Sequence, residues 1–176
     1  ENGVPQFTTS NAASATSQGI ELELAAQLTE GLEFDFAYGY TDATYDDFRD
    51  ANFAGDDFSG NTLPEAAKHT VTTALNYRHA IGATLELNAR VELAYRSSAF
   101  FEPDNVPQYE QGDYTLLGAR LGLASADGRW GVTAWGRNLA DEEYVVYRGD
   151  GVIVPGQAIQ TLGLPRTYGV EISVGF

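Results

Sequence analysis

The sequence predicts an all-β fold, an antiparallel transmembrane β-barrel, and three observations carry this prediction. Apolar and polar side chains alternate along about seven segments, short turns alternate with long loops, and aromatic side chains gather near the ends of the segments. Successive residues of a strand point to opposite faces, so the alternation provides one face for lipid and one for a wet lumen. The alternative is a soluble antiparallel sandwich or solenoid, in which alternation is equally clean.

The composition agrees with a barrel and argues against a nucleic-acid-binding protein, a helical membrane protein and a disulfide-stabilised domain. The 176 residues carry 25 acidic and 10 basic side chains, and this net charge of -15 argues against binding nucleic-acid phosphates. The mean hydropathy is -0.25, and no apolar run approaches the roughly 20 residues of a transmembrane helix. Cysteine is absent, so no disulfide framework exists. With neither a signal peptide nor an initiator Met, the chain is expected to be a mature or trimmed product.

The alternating segments define the predicted strands and their connections. The first two strands meet at the tight turn Thr29-Glu30-Gly31, which indicates a hairpin. Residues 1–16 lack periodicity and are expected to form a loop, whereas 139–164 is expected to hold hairpin arms at 144–148 and 152–154. The strands are predicted at 18–28, 32–40, 69–78, 85–96, 114–124, 129–138 and 165–176.

An odd, open set of strands leaves two unpaired edges, which a bilayer does not tolerate. Bacterial single-chain barrels have an even number of strands. The chain is therefore predicted to be the C-terminal part of a larger barrel, or one of several chains that complete one.

The connections predict the orientation of the strands. Short turns lie near Glu30, Gly82 and Asp127, and long loops lie near Asp47, Asn105 and Asp150. Outer-membrane barrels have short periplasmic turns and long external loops, so the last strand is expected to descend to the periplasm. Two aromatic girdles are predicted on the apolar faces, an external one at Tyr38, Tyr40, Tyr95, Tyr114 and Tyr168 and a periplasmic one at Tyr77, Trp130 and Phe176.

The alternation also assigns faces to individual side chains. Lipid-facing positions are predicted at Leu87, Val91, Leu121 and Ile172, whereas Trp135 falls on the otherwise polar face of its strand. We expect the charges of the lumen face to pair with one another or with a domain inside the barrel. The predicted lumen-facing charges are Glu86, Arg90, Glu92, Arg96, Arg120 and Glu171.

The external loops hold the candidate ligand-binding residues. Exposed aromatic side chains in polar loops suit a flat, apolar or sugar ligand, and simple loop packing is the alternative. These candidates are Tyr45, Phe48, Phe53, Phe58, Phe100, Phe101, Tyr109, Tyr147 and Arg148.

The first long loop is also acidic, and oxygen-rich loops can hold Ca²⁺. A solvated surface is the favoured interpretation, because the spacing does not match an EF-hand. The weak calcium candidates are Asp42, Asp46, Asp47, Asp50, Asp56 and Asp57. No catalytic constellation is visible, since His69 and His79 stand alone and no phosphate loop or nucleophile elbow occurs. We therefore expect neither an enzyme nor a resident cofactor.

Several motifs resemble those of TonB-dependent outer-membrane receptors. The terminal segment from Pro165-Arg-Thr-Tyr-Gly169 to Phe176 is similar to their last strand, and Asn138-Leu-Ala-Asp-Glu-Glu-Tyr144 is similar to the motif of their penultimate strand. Gly19-Ile-Glu-Leu-Glu23, Tyr38-Gly-Tyr-Thr-Asp-Ala43 and Leu63-Pro64 with His69 also match. Together these motifs extend over nearly the whole chain.

The resemblance implies a 22-stranded barrel, a plug domain absent from this chain, and energy supplied through TonB. It implies import of a scarce ligand such as a ferric siderophore, haem, cobalamin or an oligosaccharide. A passive porin and a non-transporting surface or adhesion protein are the alternatives. Implied partners are outer-membrane lipid and lipopolysaccharide, the rest of the barrel, the plug, the TonB complex, the barrel-assembly machinery and accessory surface proteins. The similar assembly signal comprises Tyr168, Val170, Ile172, Val174 and Phe176.

Overall fold

The computed structural model describes residues 14–49, 55–150 and 158–175. Eleven strands follow one another, and a single 3₁₀ turn, Pro107–Tyr109, is the only helical element of these residues. No helix in this part of the chain is long and apolar enough to span a membrane. The strands are β1 (Ser14–Thr29), β2 (Leu32–Asp47), β3 (His69–Ile81), β4 (Leu85–Arg96), β5 (Ala99–Phe100), β6 (Glu110–Gln111), β7 (Tyr114–Ser125), β8 (Trp130–Arg137), β9 (Val145–Asp150), β10 (Ala158–Leu162) and β11 (Thr167–Val174).

Seven of these strands form one antiparallel sheet in the order β1-β2-β3-β4-β7-β8-β11, which confirms the predicted fold class. Two small ribbons, β5 with β6 and β9 with β10, lie in the connections at the external end. The turn between β1 and β2 requires glycine, because Gly31 has φ 81° and an added Cβ would stand 2.1 Å from the Arg78 carbonyl oxygen.

The register keeps the apolar and polar positions of neighbouring strands together. Leu121 of β7 lies opposite Ala89 of β4 and Ala134 of β8, and Arg120 lies opposite Arg90 and Trp135. A shift of one residue would exchange the two faces, so the register fixes which side chains share a face. One face of the sheet is thus apolar across several strands and the other is polar.

The described residues form no buried core of the kind that a sandwich has. No large side chain among them is completely buried, and Leu121 remains 56% exposed in the middle of its strand. Its neighbours on the same face, including Val91 and Ile172, are exposed as well. A contiguous apolar surface of this extent is typical of contact with lipid or another protein. The single-layer sheet therefore rules out the sandwich.

The two outer strands show that the sheet is part of something larger. Within the described residues, β1 pairs only with β2 and β11 pairs only with β8. A membrane-spanning sheet needs both edges hydrogen-bonded. Further strands must continue the sheet from these edges.

The structure corrects several strand bounds and one face, and β1 begins at Ser14, inside the predicted loop 1–16. β1 and β2 each have 16 residues, more than the roughly 9–11 needed to cross a bilayer. The arm predicted at 144–148 is β9, which pairs with β10; the arm predicted at 152–154 lies outside the described residues, as does Phe176. Tyr114 belongs to the lumen face rather than the girdle, because it lies opposite Arg96.

Candidate ligand mouth and lumen wall

The first external loop, residues 48–68, returns along the extended end of β2. The Leu63 N–H donates to the Ala43 carbonyl, and the Tyr45 N–H donates to the Asn61 carbonyl, both at 3.0 Å. The long strand and the returning loop therefore form a hydrogen-bonded wall beyond the end of β3.

The second external loop, residues 97–113, is joined to the first by side-chain amides. The Thr62 N–H donates to Asn105 Oδ1 at 2.7 Å, and Asn105 Nδ2 donates to the Thr62 carbonyl at 3.0 Å. Asn61 Nδ2 donates to the Pro103 carbonyl at 2.9 Å. Asn105 has φ 53°, and asparagine is among the few non-glycine residues that adopt this conformation readily. These contacts connect segments more than 40 residues apart.

The third external loop, residues 138–166, packs on the second. The Val145 N–H donates to Gln111 Oε1 at 2.5 Å, and the Arg148 guanidinium donates to the Glu110 carbonyl at 3.1 Å and to Gln160 Oε1 at 2.8 Å. All three loops are therefore one connected assembly at the external end.

Asn138 closes the base of the third loop. Its buried side chain donates to the carbonyls of Glu142 at 2.9 Å and Leu164 at 3.1 Å, while its Oδ1 accepts from the Glu142 N–H at 2.9 Å. Asp141 Oδ1 accepts from the Arg166 N–H at 3.0 Å. Because a buried amide left without partners is costly, these bonds hold the two ends of the loop together. The Asn138–Tyr144 motif thus has a structural role in this chain.

The predicted ligand-binding aromatics separate into two clusters. In the first loop, Tyr45 contacts Phe48 with ring centroids 4.7 Å apart, and Phe48 meets Phe58 edge-on at 5.6 Å. Burial raises the pKa of Tyr45. Phe48 is 9% exposed, so this cluster supports the loop from inside. Phe53 lies outside the described residues.

The second cluster joins the second and third loops. Phe101 and Tyr147 have ring centroids 6.2 Å apart, and Tyr147 is 43% exposed. Tyr109 is buried, and its carbonyl accepts the Phe101 N–H at 2.9 Å. The Phe100 carbonyl accepts a hydrogen bond from the Glu65 N–H at 2.7 Å. The backbone of Phe100 therefore joins the second loop to the first.

Two hollows lie beneath this assembly on the lumen side. One of about 250 Å³ is lined by Arg96, Phe101 and Tyr114, among others. The other, of about 340 Å³, lies below Tyr144, whose ring stacks on Tyr114 with centroids 4.7 Å apart. Its lining is mostly apolar, with Leu116 and Leu164 among the contributors. A ligand held at the mouth would meet aromatic and apolar surface here.

The acidic side chains of the first loop are spread out. Asp46 accepts from the Thr16 hydroxyl at 2.8 Å, and Arg49 lies 3.3 Å from Asp47 and 3.9 Å from Asp57. Hydrogen bonds from Ser59 hold the pKa of Asp57 below its usual range. No three His, Asp or Glu side chains converge on a possible metal site within 14–49, 55–150 and 158–175, and Asp50 lies outside these ranges. Calcium binding stays a prediction.

The lumen wall carries a polar network that crosses three strands. Arg90 of β4 lies 3.0 Å from Glu92 and 3.8 Å from Asp35, and it donates to Asn76 Oδ1 at 2.6 Å. Asn76 in turn donates to Asp35 at 2.7 Å. The alternation of the sequence indicates the face of each residue but not the register that brings Asp35 and Asn76 to Arg90, so sequence reasoning missed these two.

The remaining predicted lumen charges differ in their contacts. Glu86 lies 3.6 Å from Arg78 and accepts from Asn88 at 2.9 Å. Arg96 donates to the Glu65 carbonyl at the base of the first loop. Arg120 and Glu171 have neither an ion pair nor a side-chain hydrogen bond to any described residue.

A family model for TonB dependent receptor-like β-barrels matches residues 1–139. The chain belongs to this family of TonB-dependent receptor barrels. That membership confirms the resemblance and the fold class, and it places the chain in the bacterial outer membrane. The ferrichrome outer membrane transporter/phage receptor of Escherichia coli (strain K12) is 27% identical to this chain over 136 residues. The match covers 73% of this chain and 16% of that protein.

Solved receptor structures share the fold of this TonB-dependent receptor barrel. The ferric yersiniabactin uptake receptor of Yersinia pestis has a TM-score of 0.77 at 21% identity, covering 92% of this chain and 24% of that one. For the ferric preacinetobactin receptor of Acinetobacter baumannii the TM-score is 0.71 at 17% identity, covering 90% and 22%. The chain therefore spans less than a quarter of each of these proteins.

Proposed function

We propose that the chain is the C-terminal barrel portion of an outer-membrane receptor that imports a ferric siderophore with energy supplied through TonB. The names of its relatives support this ligand class, since they refer to ferrichrome, ferric yersiniabactin and ferric preacinetobactin. The observation that carries the proposal is the connected assembly of three external loops above a polar lumen wall. Such an assembly offers a preformed binding surface, which costs less to order on binding than separate mobile loops.

The ligand contacts are proposed at the junction of the second and third loops. Phe101 and Tyr147 present aromatic surface there, and Tyr114 continues it into the lumen. Phe48 and Tyr109 are buried and position the loops instead. Arg148 also positions the loops, because its guanidinium donates hydrogen bonds to the second loop and to β10.

Uptake by cells that carry the full-length receptor tests this function. Iron-starved cells should accumulate radioactive iron from one member of a ferric siderophore panel, and collapse of the proton-motive force should abolish uptake. A passive porin would keep taking up ligand after the collapse. An adhesion protein would take up none of these ligands. Uptake of haem, cobalamin or an oligosaccharide alone would show that the ligand is not a ferric siderophore.

A further inference from the structure

The external loops hold much of the negative charge of this acidic chain. The second loop, residues 97–113, has four acidic side chains and no basic one, and the third loop, residues 138–166, has four acidic and two basic ones. The three external loops together hold twelve acidic and four basic side chains, so they carry more than half of the net charge of -15. The mouth that these loops form is therefore strongly acidic.

One acidic side chain of the second loop lies at the aromatic junction itself. Glu102 follows Phe101 in the chain, and Phe101 meets Tyr147 with ring centroids 6.2 Å apart. At Gly149 an added Cβ would stand 2.7 Å from Glu102 Oε1 and 2.5 Å from the Tyr147 hydroxyl oxygen. Both oxygens thus lie against the same point of the third-loop backbone, where glycine leaves room for them. The junction therefore combines two aromatic rings with a carboxylate.

The basic side chains near this junction do not reverse its charge. Arg148 lies beside the junction, but its guanidinium donates to uncharged acceptors, the Glu110 carbonyl at 3.1 Å and Gln160 Oε1 at 2.8 Å. Arg96 lines the hollow beneath the mouth together with Glu65, so the charges of these two side chains balance. The second and third loops keep an excess of acidic side chains after their own two arginines are counted.

We propose that the imported ferric siderophore carries a basic group, such as a primary ammonium, which binds at the junction of Phe101 and Tyr147 beside Glu102. The inference rests on the proposed function and names the chemistry of its ligand. An aromatic face attracts a cation within about 6 Å of the ring. A carboxylate has several acceptor positions, so Glu102 pairs with the ligand in addition to its contacts within the protein. A binding surface of one charge sign also concentrates ligands of the opposite sign and repels ligands of its own sign. The mouth should therefore select cationic over anionic ferric complexes.

Ferric complexes that differ in charge but share one iron centre test this selection in cells that carry the full-length receptor. The ferric complex of desferrioxamine B is a cation because its terminal amine is free, its N-acetyl derivative is neutral, and its N-succinyl derivative is an anion. Each complex competes with the radioactive ferric siderophore that the receptor imports best. The cation should compete at about a tenfold lower concentration than the anion, with the neutral complex between them. Equal competition by all three, competition by none, or strongest competition by the anion overturns the proposal, as does import of anionic tris-catecholate complexes alone.

The variant Glu102→Gln separates charge recognition from loop structure. It removes the charge and keeps the length of the side chain and one acceptor oxygen. The cation should then need about a tenfold higher concentration to compete, while the neutral complex should compete as it does with wild type. Glu30→Gln, which removes an exposed charge from a periplasmic turn, should leave all three competitors unchanged.

Two results for Glu102→Gln would contradict the proposal. Equal weakening of all three competitors would show that Glu102 only supports the loop, and unchanged competition would show that it does not contact the ligand. Import of a ferric siderophore without any charge preference would contradict this inference and leave the proposed function intact. A receptor that imports no ferric siderophore would contradict the proposed function itself.

Discussion

The side-chain amide of Asn105 pairs with the backbone of Thr62 as a neighbouring strand would. It accepts the Thr62 N–H at 2.7 Å and donates to the Thr62 carbonyl at 3.0 Å. One side chain thus makes the two hydrogen bonds that a paired strand would make, between two loops that do not belong to a common sheet. The first and second loops are thereby one unit at the mouth.

Replacing Asn105 by Ala should separate these loops. The change removes both hydrogen bonds to Thr62 and places a residue with a poor left-handed preference at φ 53°, so closure of the loop pair should weaken by roughly 1–3 kcal/mol. Limited proteolysis of intact cells should then cut residues 97–113 faster than in wild type. Asn105→Asp keeps the acceptor and should give an intermediate rate.

Barrel integrity is the control for this variant. Heat-modified migration on a denaturing gel should be unchanged, because Asn105 lies outside the sheet. Equal protease resistance in Asn105→Ala and wild type would show that the amide does not join the loops in the membrane.

The face assignment predicts a difference between two arginine substitutions. Leu121→Arg places a charge on the exposed apolar face in the middle of β7, which costs about 2–4 kcal/mol near the bilayer midplane. Ala94→Arg places the same charge on the lumen face, where water can solvate it. Assembled receptor in outer-membrane fractions should fall strongly only for Leu121→Arg. A similar fall in both variants would contradict the register.

The sequence predicted most of the sheet and little of the mouth, for a physical reason. Alternation of period two is local, so β4 was predicted at its observed bounds, Leu85–Arg96. Contacts such as Asn105 with Thr62 join residues 43 positions apart and leave no periodic signal. The error at Tyr114 has a related cause. An aromatic ring at the end of a strand suits a girdle, but its pairing with Arg96 assigns it to the lumen.

The two aromatic clusters should respond differently to truncation. Phe101→Ala or Tyr147→Ala should raise the siderophore concentration needed for half-maximal uptake, because each removes aromatic surface at the proposed contact and leaves the sheet intact. Phe48→Ala removes a buried ring, and large-to-small changes in packed sites cost about 3–5 kcal/mol. It should therefore raise protease sensitivity of the first loop. Unchanged uptake in both Phe101→Ala and Tyr147→Ala would remove this junction from the ligand site.

Deletion of Phe176 should separate assembly from stability. The described pairing of the terminal strand extends to the Gly175 N–H, which donates to the Arg129 carbonyl at 2.8 Å, so the deletion removes none of these bonds. Burial of one phenylalanine contributes about 1.5–3 kcal/mol at most. An unfolded final strand can instead bind an exposed edge of the assembly machinery by β-augmentation, where alternate side chains give specificity. We therefore expect a strong loss of assembled receptor in cells, while full-length receptor refolded in detergent should melt only slightly earlier. The matched variant Phe176→Tyr keeps an aromatic side chain at this position and should assemble nearly as well as wild type. Normal assembly after the deletion would show that Phe176 contributes packing alone.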